Sequence, residues 1–79
     1  MPSTAPLNIA ATNKGQEKQK HAIAALERAF RELCDAQDEI SFVEGEGSSE
    51  LYEEIAIAYQ TVESLRKRLK KMTVTGYFE

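Results

Sequence analysis

Leu51, Ile55, Ala58, Val62, Leu65, Leu69 and Met72 recur at alternating steps of four and three. That spacing lines one stripe of an α-helix and cannot line one face of a strand. A register held this long without a break predicts a helix over about 50–72 that packs on another helix. Ser48 or Ser49 is placed to cap it. Glu50, Glu53 and Glu54 crowd its first turns, and Arg66, Lys67, Arg68, Lys70 and Lys71 fill its last. Both groups match the sign of the helix dipole. Tyr52, Ala56 and Tyr59 lie beside the seam and widen it beyond a two-stranded coiled coil.

A partner helix is present upstream. Ile23, Leu26, Phe30, Leu33 and Ile40 fall on heptad positions, with Gln37 at the skipped one. Ala22, Ala25, Ala29 and Ala36 flank that seam with small residues of high helix propensity. The spacing predicts a helix over about 14–40, with Asn13 as cap and Gly15 as a weak point in the first turn. Between the helices the sequence SFVEGEGSS, residues 41–49, reads as a loop. Phe42 and Val43 within it are expected to fold back on the helix ends. Residues 1–12 carry no charge, two prolines and few large apolar groups, and read as a flexible arm. The β-branched run Thr73-Val74-Thr75 and then Gly76 should end the second helix, leaving a tail over 73–79.

The expected fold is therefore all-α: an antiparallel helical hairpin over 13–79. A chain of 79 residues has little capacity to bury a core in one hairpin. Each helix is about 36 Å long, and both apolar faces are wider than a hairpin uses. Dimerisation into a four-helix bundle is the expected remedy, with Ile55, Val62, Leu65 and Leu69 in the dimer core.

Charge is the second organising feature. The chain has 13 acidic and 10 basic side chains, a formal net charge of −3. Folding as a hairpin gathers Asp35, Asp38, Glu39, Glu44, Glu46, Glu50, Glu53 and Glu54 at the loop end. Lys14, Lys18, Lys20, Arg66, Lys67, Arg68, Lys70 and Lys71 gather at the other. An antiparallel dimer would set each acidic pole against a basic one. It would also bring the Tyr77-Phe78 tail of one chain near the Phe42-Val43 loop of the other.

The residues for catalysis are sparse. There is one cysteine, which excludes an internal disulfide, and one histidine, which excludes a histidine metal site. Cys34 and His21 lie nearly four helical turns apart and cannot meet within one chain. Glu32-x-x-Asp35, Asp35-x-x-Asp38 and Glu50-x-x-Glu53 put acid pairs on helix faces. The spacing is similar to that of helical nucleotide pyrophosphohydrolases, and the similarity stops at spacing. It implies a metal-dependent enzyme only as a remote alternative, because the acids flank the loop and a solvated acidic face accounts for them. No glycine-rich phosphate loop or nucleophile elbow occurs. The expectation is a non-enzyme without metal or cofactor.

What remains is binding. The sequence points to a small cytoplasmic, non-membrane protein that binds another macromolecule, as an inhibitor or adaptor of the kind phages and plasmids carry. The expected partner is a protein, met through Glu46, Glu50, Tyr52, Glu53 and Glu54, with tyrosine as the anchor. The alternative is a nucleic-acid-binding accessory protein that uses Arg66, Lys67, Lys70 and Lys71.

Overall fold

The computed structural model describes residues 9–78. Its order is helix, turn, helix: α1 spans Ile9–Ile40 and α2 spans Ser48–Lys71. The helices pack side by side and antiparallel, and an extended tail follows Met72. The particle measures 62 × 18 × 16 Å, with a radius of gyration of 18.4 Å. A compact globule of this length would have a radius near 12 Å.

The α1 seam is where the spacing put it, and the α2 seam only in part, because Leu51, Leu65 and Met72 are 49%, 42% and 52% exposed. Ile23, Leu26, Phe30, Leu33 and Ile40 on α1 and Ile55, Ala58, Val62 and Leu69 on α2 are all half-buried. Phe30 and Tyr59 meet edge to face at mid-length, ring centroids 5.4 Å apart at 76°. Gln37, at the skipped heptad position, is half-buried as well. Its side-chain amide donates to the Tyr52 carbonyl at 3.3 Å, so a polar group is satisfied where a leucine would otherwise sit. Among the described residues none is fully buried. Two helices in contact along one line leave each inward residue open at its rim and the neighbouring apolar positions outside the contact.

Three local features depart from the sequence reading. First, α1 begins at Ile9, so residues 9–12 are helix and not arm, and Asn13 lies inside the helix rather than capping it. Ile9-Ala10-Ala11 carries no breaker, and the helix runs back through it. The rest of the expected arm lies outside the described residues. Second, α2 is capped by Gly47 and not by Ser48 or Ser49. Gly47 has φ 83°, a left-handed conformation that glycine adopts without steric cost, and the serines enter the first turn. Gly47→Val should therefore destabilise the hairpin by about 1–2 kcal/mol, read as a lower urea midpoint at unchanged slope. Third, Phe42 and Val43 do not fold back. They are 81% and 52% exposed, while their amides close the turn onto the Glu39 and Ile40 carbonyls at 3.1 and 3.0 Å.

The tail is held against the start of α1. The Gln19 amide donates to the Leu69 and Met72 carbonyls, at 2.7 and 2.9 Å. It thus gives the Leu69 carbonyl a second donor beside the Met72 N–H, which bonds it at 3.2 Å, and supplies a donor to the Met72 carbonyl just past the helix end. The tail then crosses α1 at Gly15. A Cβ there would lie 2.6 Å from Val74 Cγ1 and closer still to the Gly76 carbonyl oxygen. Lys14 Nζ sits 5.7 Å from the Tyr77 ring centroid, within cation–π range.

Candidate functional site

The turn places the acidic side chains. Asp35, Asp38 and Glu39 leave the last turns of α1, Glu44 and Glu46 ride the turn, and Glu50, Glu53 and Glu54 open α2. All are exposed, and none is among the ion pairs formed within the described residues. Tyr52 is 42% exposed and Leu51 49% exposed in the same first turns. Glu46, Glu50, Tyr52, Glu53 and Glu54 thus lie at one end of the molecule, with Phe42 and Val43 at its tip. The geometry offers unneutralised negative charge around accessible apolar side chains.

The opposite pole is built differently. Lys67, Lys70 and Lys71 are exposed, with Lys14, Lys18 and Lys20 across from them on α1. Arg66 is not free. Its Nε and Nη2 donate to the two carboxylate oxygens of Glu63, both at 2.8 Å, and its Nη1 lies 3.7 Å from Glu27. The hydrogen bonds from Arg66 hold the Glu63 carboxyl below its usual range, and the same bonds raise the Arg66 guanidinium. Arg66 is thus a structural clamp between the helices, which removes one cation from the expected phosphate grip.

This clamp has a pH signature. A carboxylate held lower in the folded chain stabilises above the ordinary glutamate value, about 4.3, and loses that effect as pH falls through the folded value. Glu63→Gln should lower the urea midpoint at neutral pH, and the gap from wild type should close on acidification below about pH 4.3. Parallel denaturation curves at several pH values check this.

The expected dimer core divides. Ile55, Val62 and Leu69 are half-buried within the single hairpin, whereas Leu65 is 42% exposed. The heptad spacing did not separate inward from outward positions, because the apolar stripe is wider than one contact line. Cys34 is half-buried and His21 exposed, on different turns of α1. Among the described residues no group of three or more His, Cys, Asp or Glu side chains comes together as metal ligands. No described helix is long and apolar enough to cross a membrane.

Sequence reasoning missed the latch of Gln19, Gly15 and the tail. One signal was present: glycine inside a helix costs about 1 kcal/mol relative to alanine, and that cost is tolerated where another backbone must pass close.

The fold and the charged pole define an all-α helical hairpin with an open apolar rim. Searches against family models, curated proteins and solved structures find no match for this chain.

Proposed function

We propose that this hairpin is a non-catalytic, cytoplasmic adaptor or inhibitor that binds a protein through its loop end. The observation that carries the reading is the pole itself: exposed, unpaired Glu46, Glu50, Glu53 and Glu54 around the exposed ring of Tyr52. Such a surface complements a basic protein face with an apolar centre, of the kind used to hold nucleic acid. Charge steers the encounter and sets the orientation, and a buried tyrosine ring supplies affinity. The engagement of Arg66 by Glu63 and Glu27 favours this pole over the basic one.

The test is a pair of charge reversals, titrated against the partner captured from the native host. Glu50→Lys with Glu53→Lys should weaken binding about tenfold or more and slow association, with the larger effect at low salt. Loss of binding on Lys67→Glu with Lys70→Glu, with no effect from the glutamate pair, would replace this reading. So would salt-steep binding of the wild type to random-sequence DNA or RNA.

A further inference from the structure

Leu51, Leu65 and Met72 are 49%, 42% and 52% exposed. With Ala58, half-buried at the edge of the inward seam, they form a stripe on α2 at steps of seven that turns away from the α1 contact. Ala22, Ala29 and Ala36 form a stripe on α1 at the same step. Both stripes open to the same side of the hairpin. Leu26, Leu65 and Met72 line one shallow hollow, and Ala22 and Met72 line the neighbouring groove under the tail. We propose that this side is the contact face of an antiparallel homodimer, in which the occupant is a second copy of the chain.

The symmetry of the positions selects that occupant. A two-fold axis across α1 at Ala29 sets Ala29 against its own copy and Ala22 against Ala36 of the second copy. A two-fold axis across α2 midway between Thr61 and Val62 sets Leu51 against Met72, two large side chains, and Ala58 against Leu65, small against large. One axis must serve both helices, so the two midpoints have to lie level. They do, to within about 2 Å along the helix, because Phe30 packs on Tyr59 and Gln37 reaches Tyr52. Evenly spaced positions on one helix always pair about their midpoint, but nothing in the spacing makes the midpoints of two helices lie level, and a closed two-fold contact between copies needs them to.

Charge agrees with the same operation. It brings Glu54 on the flank of α2 to Arg68 of the second copy. It brings Lys18 on the flank of α1 to Glu39. The acidic pole of each chain then lies over the basic pole of the other, whereas a parallel arrangement would stack like poles. The operation also carries Phe42, 81% exposed, to the level of the other chain's tail. There a groove of about 750 Å³ opens between the tail and both helices.

Size is sufficient. The paired length of α2 is about 36 Å, and the hairpin is 18 Å wide. Two such faces bury about 1,300 Å², within the range of specific interfaces. Alanines on α1 let those helices approach to the short end of helix packing distances, about 8 Å. Tyr52 and Glu53 fall on other sides of α2 and stay clear of the dimer face, while Leu51 and Glu54 at its edge are shared with the proposed partner pole.

Sedimentation, circular dichroism and cross-linking together test this. The wild type should sediment as a dimer at micromolar concentration. Ala29→Glu sets two like charges together at the axis and should raise the dimer dissociation constant about 100-fold or more, with the helical spectrum kept. In a Cys34→Ser background, Ala29→Cys should form a disulfide-linked dimer under mild oxidation, because a residue on the axis lies within reach of its own copy. Glu53→Cys in the same background should not. A monomeric wild type overturns the proposal. So does a dimer that Ala29→Glu leaves intact, or cross-linking at residue 29 no faster than at residue 53.

Discussion

Phe30→Ala should lower the stability of the hairpin by about 2 kcal/mol, which for a chain of this size lowers the melting temperature by about 10 °C. The full cost of deleting a buried phenylalanine is larger, about 3–5 kcal/mol. Here the ring is only half-buried, so less transfer energy is lost. The effect is still large in context, because no described residue is fully buried and the reserve is small. Part of the loss is specific to the edge-to-face contact with Tyr59. A double-mutant cycle with Tyr59→Ala should return a coupling of about 1 kcal/mol. Additive losses would mean that the rings contribute only as separate apolar surfaces.

The second large effect concerns order rather than melting. Gly15→Val should free the tail. Any Cβ at residue 15 overlaps the Gly76 carbonyl and Val74 Cγ1, and backbone on one side and a β-branched side chain on the other cannot both give way. Valine, bulkier than alanine, leaves no compromise position. Backbone order parameters over residues 74–77 should fall from about 0.8 to below about 0.6, and the Lys14–Tyr77 contact should be lost. The helices should keep their content, since valine replaces the poorest helix former short of proline. Tail order parameters that match wild type would show that the crossing at Gly15 does not hold the tail.

These two residues also mark what could be read from the sequence. Phe30 was legible, because a seam residue declares itself through its spacing from Ile23, Leu26 and Leu33. The turn was legible too, since its glycines separate two long apolar registers. Gly15 was legible only as a weakness, because the segment that uses it lies some sixty positions away in the sequence and no periodicity links them. Helix ends were misplaced for a related reason. Asn13 and the serines at 48 and 49 have the chemistry of caps, but capping is decided by backbone conformation, and Gly47 took it. Within the acidic pole, position followed from the hairpin alone. The fate of Arg66 did not, because Glu27 reaches it only once α1 is laid against α2.

The contact of Gln19 with the end of α2 bears on the order in which the molecule opens. At the turn, Gln37 and Tyr52 are 15 positions apart; at the far end, Gln19 and Met72 are 53 apart. Closing the longer loop costs about 1.1 kcal/mol more chain entropy than closing the shorter. The hairpin therefore behaves as a zipper with its slider at Gly47: the chain closes from the turn outward and frays from its free end inward. The Gln19 amide sits at the last tooth, where a bond between the helices most delays the first step of opening.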